Sequence, residues 1–437
     1  MAAPMSGILI QTLRNIYRYL GDDDIVIDDN AVFQEPRMSR HNPTTCDLCF
    51  PIIRHRGYDV SVSAVLLFPE YKNFKMKIDI EKVQRELPDK SKSWIVPIKL
   101  CTSSPNSLCV VLDHTKAFQV TINQILAKET FLEIANLNKT VFLSKDSGLE
   151  TLQCADLTKL RTVLAFQSLR NVFLYLGYTV EINGHRNGDY IAEDVKKFHI
   201  CHKSMCSEKQ PDYCLIQCGA VLDKTTGAKA SNICPDDYYR NKTAAFEKLA
   251  EGRGNSVKNN HQEKTLSEAE VVAELLWVKL HDNVSISISQ ESEETTGVAR
   301  GATFLLYNHV RLTCIRKKFC QEVDLGNYER LPGIEHVDFQ LLSQNEEWDL
   351  LLLVLQFPSW LIQCVSPKGK VSLHPLLVGL DKICRTFSVY YRRVRVLTES
   401  RPQLLPVMHA RLYLLQCVEH VLGLGLSLFD MKPLDYM

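Results

Sequence analysis

The chain has 437 residues, 45% of them apolar and 23% charged, and its 51 basic and 51 acidic side chains leave a formal net charge of zero. That balance is globular. It excludes a wholly basic protein that coats nucleic acid and leaves room for a local basic face, so no DNA partner is expected. The longest apolar run, "LLLLVLQFPSWLIQCV" (350–365), is shorter than the ~20 residues a membrane helix needs and is interrupted by Pro358, so no membrane partner is expected either. The N-terminus has no basic start followed by a long apolar core, and the 15 cysteines are scattered without a small-domain framework. Reduced thiols and a cytoplasmic location are the expectation.

Residues 1–135 alternate helical and strand patterns. "SGILIQTLRNIYRYLG" reads as an amphipathic helix, "SVSAVLLFP" and "SWIVPIKLCT" as strands, and "TKAFQVTINQILAKETFLEIAN" as helical again. In "DLTKLRTVLAFQSLRNVFLYLGYTVEI" (156–182), Val163, Phe166, Leu169, Val172, Phe173 and Leu176 recur at three- and four-residue steps, Gly177 fits a left-handed stop, and "YTVEI" starts a strand. A helix that rises from a turn and feeds a strand is half of a nucleotide-binding unit. Residues 136–250 are therefore expected to form a Rossmann-like α/β part. "EGRGNSVKNNHQEKT" (251–265) is polar and poor in core residues, and reads as a linker. From 266 to 437 the pattern is almost purely helical, about five helices, with Ser267 and Glu270 spaced as a capping box.

The turn before the first long helix raises the functional question. "LRTVLAFQSLRNVFLYLGYTVEINGHRNGDY" resembles the segment that follows the ATP signature of class I aminoacyl-tRNA synthetases, in particular arginyl-tRNA synthetase. Leu160, Arg161 and Thr162 match its first tripeptide, Leu176, Gly177 and Tyr178 its second, and Gly188, Asp189 and Tyr190 its end. The signature turn itself is lost: Asp156 and Lys159 stand at the two histidine positions and Thr158 at the glycine. Those histidines donate to the ATP phosphates as charge builds during adenylate formation, which costs several kcal/mol to remove. "CGAVLDKTTGAKASNI" (218–233) resembles the family's mobile Lys/Ser loop, with Lys229 and Ser231 as remnants.

The C-terminal half resembles the DALR anticodon-binding domain of the same family. "FLLYNHVRLTCIRKK" places Tyr307, His309 and Arg311 on one family helix, and "FSVYYRRVRV" places Phe387 and Tyr391 on another. The Ala-Arg-Leu that names the domain stands as Ala410, Arg411 and Leu412, with His409 in place of the Asp. The terminus is of the family's acidic-aromatic-Met type, ending in Tyr436 and Met437. The resemblance implies an α/β N-terminal part, a degenerate class I synthetase-like Rossmann remnant, followed by an all-α anticodon-binding helical bundle. It implies tRNA contact by Tyr307, His309, Arg311, Arg316, Lys317, Lys318, Tyr390, Tyr391, Arg392, Arg393, Arg395, Arg411, Tyr436 and Met437. Arg and Lys neutralise phosphates, and Tyr stacks unpaired loop bases.

It implies no catalytic residue and no cofactor: a non-catalytic adaptor that delivers arginine tRNAs to a methyltransferase forming 3-methylcytidine in the anticodon loop. An active ligase with an altered ATP site and a protein-interaction scaffold are the alternatives. No metal is expected. Cys46 and Cys49 form a lone C-x-x-C, and His199, Cys201, His202, Cys206, Cys214 and Cys218 form only a looser set.

Overall fold

The computed structural model describes residues 7–21, 32–33, 37–38, 46–54, 60–68, 72–127, 140–145, 156–182, 196–202, 213–252, 260–287, 301–365 and 371–434. In chain order the elements are α1 (Ile8–Leu20), β1 (Val32–Phe33), β2 (Arg37–Met38), β3 (Leu48–Arg54), β4 (Val60–Phe68), β5 (Lys72–Ile78), α2 (Ile80–Lys90), β6 (Ile98–Ser104), β7 (Ser107–Leu112), α3 (His114–Leu126), β8 (Thr140–Lys145), α4 (Leu157–Tyr175), β9 (Thr179–Ile182), β10 (Lys196–His202), β11 (Cys214–Cys218), β12 (Val221–Asp223), α5 (Pro235–Gly252), α6 (Asn260–Leu276), β13 (Val284–Ile286), α7 (Ala302–Asp324), α8 (Asn345–Cys364), α9 (His374–Arg393) and α10 (Leu405–Ser427). Among the described residues, no helix is long and apolar enough to cross a membrane.

The chain forms two units that are each discontinuous in sequence. One comprises residues 1–135, 312–360 and 385–421, the other 136–311, 361–384 and 422–437. In the first unit, α1 buries the side chains its helical spacing predicts, including Leu9, Leu13, Ile16, Tyr17 and Leu20. The strands make an antiparallel sheet in the order β1-β4-β3-β7-β6, with β2 on β3 and β5 on β4. Asp79 and Asp113 cap α2 and α3 by accepting the amides of Lys82 and Lys116 at 3.1 and 2.9 Å. Such caps satisfy helix-end donors that would otherwise lack partners. Asp47, fully buried, accepts Trp348 Nε1 at 2.8 Å and the Leu112 amide at 2.7 Å, and His114 Nε2 lies 3.0 Å from it. His114 stacks on Trp348 with ring centroids 3.6 Å apart.

In the second unit, β8 to β11 form an all-parallel sheet in the order β11-β10-β8-β9, and α4 is the crossover between β8 and β9. That is the expected nucleotide-binding type of sheet. Gly177 ends α4 at φ 80°, the left-handed geometry its place after the helix predicts. Arg161 is fully buried on α4 and donates to the carbonyls of Leu275, Gly219 and Asp282 at 2.8, 2.9 and 2.7 Å, and to Lys279 at 3.1 Å. It holds the carbonyl end of α6 and the loop after it. Gly219 permits that approach, since a Cβ there would lie 2.4 Å from the Asp282 carbonyl oxygen.

Two local expectations are corrected. α6 begins at Asn260, inside the stretch read as a linker, so Ser267 lies within the helix and does not cap it. Its hydroxyl donates back to the Lys264 carbonyl at 2.8 Å and pairs with Thr243 Oγ1 at 2.7 Å. Glu270 instead accepts the Thr303 amide and hydroxyl, both at 3.2 Å, and so serves the first turn of the next helix, α7.

Candidate nucleic-acid interface

The turn at 156–159 is built as a self-sufficient helix start. Asp156 is the N-cap of α4, and its carboxylate accepts the Lys159 amide at 2.8 Å. A helix N-terminus attracts anions through its free amides and dipole. Here the chain's own carboxylate holds that position. Thr158 is buried, and its hydroxyl accepts the Val221 amide at 3.0 Å, tying α4 to β12. Lys159 is partly exposed beside them. The stretch matched to a mobile Lys/Ser loop is a closed turn: Asp223 accepts the Thr225 amide and the Thr226 hydroxyl, both at 2.9 Å, and its own amide donates to Ala228 O at 2.9 Å. Lys229 and Ser231 are exposed just beyond it. Gly188, Asp189 and Tyr190 lie outside the described residues.

On α7, Tyr307 is 41% exposed, and the Arg311 guanidinium stands over its ring at 4.3 Å from the centroid, hydrogen-bonded to its hydroxyl. The pair presents an aromatic face backed by a cation. His309 is half-buried, and its ring limits the space at Gly423, where a Cβ would lie 3.0 Å from Nε2. That is a packing position rather than an open one. Further along α7, Lys317 and Lys318 are exposed. Arg316 is committed to Glu419, with Nε to Oε2 at 3.0 Å and Nη2 to Oε1 at 3.0 Å, and Thr313 adds a bond to the same carboxylate at 2.9 Å. The ion pair holds the Arg316 guanidinium even further above neutrality than usual.

The "YYRRVR" segment divides between core and surface. Tyr390 is fully buried, and its hydroxyl donates to Glu347 at 3.3 Å. It cannot stack a base, and its expected role is corrected to a core one. Burial, reinforced by the Glu347 charge, pushes its hydroxyl pKa well up. Tyr391 is 42% exposed, with Phe387 beneath it at 5.8 Å between centroids. Arg392 and Arg395 are exposed and bond backbone carbonyls nearby, those of Ser388 at 3.1 Å and Leu397 at 3.2 Å. Arg393 is paired with Glu346 at the surface. Arg411 is also corrected. Its side chain is 14% exposed, and Nε bonds the fully buried Glu347 at 2.8 Å. One carboxylate thus takes both Arg411 and Tyr390, and both belong to the packing. Tyr436 and Met437 lie outside the described residues.

Sequence reasoning missed the Asp47–His114–Trp348 cluster and the role of Arg161 as a clamp. Both depend on partners more than 50 residues away along the chain, and nothing in local spacing signals them. It also missed a thiol group. Cys109 on β7 joins Cys46 and Cys49, with all three sulfurs within 4.8 Å of one another. Among the described residues of the looser His/Cys set, no three ligand atoms converge, and Cys206 lies outside those residues.

The fold is similar to that of arginyl-tRNA synthetases. The Thermus thermophilus enzyme superposes with TM-score 0.64 at 10% identity, covering 98% of this chain and 99% of its own. The Plasmodium falciparum enzyme gives 0.60 at 10% identity over 99% and 100%. At such identity the likeness establishes the fold alone. The DALR anticodon binding domain matches residues 305–437, and the fold is of the synthetase type. The resemblance read from the C-terminal helices is borne out. Among relatives, the Mus musculus protein named DALR anticodon-binding domain-containing protein 3 is 31% identical over 233 residues, 50% of this chain and 42% of that protein. The Danio rerio protein of the same name is 28% identical over 239 residues, 51% and 41%. The chain's match therefore spans less than half the length of those relatives. Arginine–tRNA ligase of Borrelia hermsii is 25% identical over 168 residues, 38% of this chain and 26% of the enzyme.

Proposed function

We propose that this chain is a non-catalytic tRNA-binding adaptor that grips arginine tRNA and presents it to a methyltransferase forming 3-methylcytidine in the anticodon loop. The observation that carries the tRNA-binding reading is the exposed Tyr307 ring with Arg311 over it, inside the matched anticodon-binding domain. Base–aromatic stacking contributes about 1–3 kcal/mol per base, and a guanidinium beside the ring adds phosphate attraction. Lys317, Lys318, Tyr391, Arg392 and Arg395 are the further exposed candidates.

The non-catalytic reading is supported at the α4 turn. A nucleotide phosphate approaching this helix start meets the Asp156 carboxylate instead of histidine donors, and the Thr158 hydroxyl is already bonded to the Val221 amide. The DALR-named relatives carry no ligase name. A protein that holds a tRNA without charging it supplies selectivity by raising the local concentration of that tRNA for a second enzyme. In the division of labour we propose, residues 266–437 hold the anticodon arm and residues 1–135 hold the tRNA body or dock the methyltransferase.

Binding is tested with arginine tRNA and the full chain across a salt series. Log affinity should fall linearly with log salt, because phosphate contacts release counterions. Replacing Arg392, Arg393 and Arg395 together should flatten that slope by about 0.7–0.9 per lost contact. An unchanged slope removes these arginines from the interface, and no binding at low salt removes the reading.

A further inference from the structure

Cys49 faces Cys109 across the antiparallel β3/β7 pair. Ile52 donates to Asn106 O at 3.0 Å, and the ladder alternates from there. The 49/109 position is therefore a non-hydrogen-bonded pair, where side chains approach most closely. Their neighbours Leu48, Phe50, Leu108 and Val110 are fully buried on the core face, so Cys49 and Cys109, both half-buried, stand together on the other face. Cys46, just before β3, completes the group. It is buried, and its thiol donates to the Leu48 carbonyl at 3.0 Å. Cys101 on β6 pairs with Val110, on the core face, and is not part of the trio.

We propose that Cys46, Cys49 and Cys109 form a binding site for a single thiophilic d10 cation, zinc(II) or copper(I). A zinc–sulfur bond is about 2.3 Å, which sets sulfurs around one ion about 3.8 Å apart. The three sulfurs already lie within 4.8 Å of one another, so small side-chain rotations close the site. Soft thiolates favour these ions over magnesium or calcium. An iron–sulfur cluster spreads its ligands wider than a single ion does. Three thiolates complete a trigonal copper(I) site, and for zinc the half-exposed side leaves a position for water. Each thiol releases its proton to solvent as it binds. Because each thiol must lose its proton to bind the ion, uptake should weaken as pH falls.

The test uses the full chain, purified with a non-thiol reductant, loaded separately with zinc and with copper(I) and dialysed against a weak chelator. Metal per chain is read by elemental mass spectrometry, and affinity by competition with a chromogenic chelator for each ion. The wild type should retain close to one equivalent of at least one ion. Cys49→Ser and Cys109→Ser should each weaken its affinity at least tenfold, whereas Cys101→Ser should not. Because Cys49 and Cys109 are half-buried, the serine variants should fold, which circular dichroism checks. Cys46→Ser, at a buried site, is read only if it passes that check. The proposal is overturned if the wild type holds no more of either ion than a folded Cys49→Ser/Cys109→Ser double variant, or if Cys101→Ser lowers affinity as much as they do.

Discussion

Arg411, the arginine of the Ala-Arg-Leu that marks the domain, bonds the fully buried Glu347 at 2.8 Å, and Tyr390 bonds the same carboxylate. Removing one partner of a buried pair leaves an uncompensated charge, a loss of about 3–5 kcal/mol. Arg411→Ala should therefore lower unfolding free energy by that amount in a urea titration. In whatever fraction stays folded, the salt slope for tRNA should be unchanged. A full-stability variant with a shallower slope would return Arg411 to the RNA surface.

Two adjacent tyrosines give opposite expectations. Tyr391→Ala should keep the thermal midpoint and weaken tRNA binding about 5- to 150-fold, the equivalent of ~1–3 kcal/mol for one stacked base. Tyr390→Ala should cost about 3–5 kcal/mol of stability as a buried aromatic is lost. Equilibrium binding and chemical denaturation of both variants separate these outcomes.

His409 stands where the family has Asp. Burial pushes its pKa below the ordinary histidine value, against an opposing pull from Glu329. The folded state therefore binds the proton less readily than the unfolded chain, whose histidine titrates near about 6.5. Stability from this group is present above that pH and is lost as pH falls through it. His409→Gln should flatten the stability–pH curve between about pH 7 and 5. An unchanged curve would mean that the ring is solvated.

Much of the fold is legible in residue order, because the signals are local. The three- and four-residue spacing along α4, the glycine that ends it and the helical patterns after 266 each lie within one element. The candidate site was legible only in part. Tyr390 and Tyr391 have the same chemistry and adjacent numbers, and only the packing of α9 decides which is buried. Arg316 and Arg411 read as surface cations because their partners, Glu419 and Glu347, are 103 and 64 positions away. Cys109 joins the C-x-x-C pair through β3/β7 pairing, a long-range register that spacing does not encode.

Arginine activation should be absent. With Asp156 capping α4 and no histidine donors at the turn, arginine-dependent ATP–pyrophosphate exchange in the presence of tRNA should not exceed a no-protein blank. Exchange above the blank that disappears on Asp156→Ala would assign the turn a catalytic role instead.

The adaptor role is tested most directly by reconstituted methylation. Purified methyltransferase, with and without the full chain, is presented with arginine tRNA and, in parallel, serine and threonine tRNAs, and 3-methylcytidine is quantified by mass spectrometry of digested nucleosides. The chain should raise modification of arginine tRNA at least tenfold while leaving serine and threonine tRNAs unchanged, and the Tyr391→Ala variant should lose most of that gain. Equal stimulation of all three tRNAs, or none, would contradict the account.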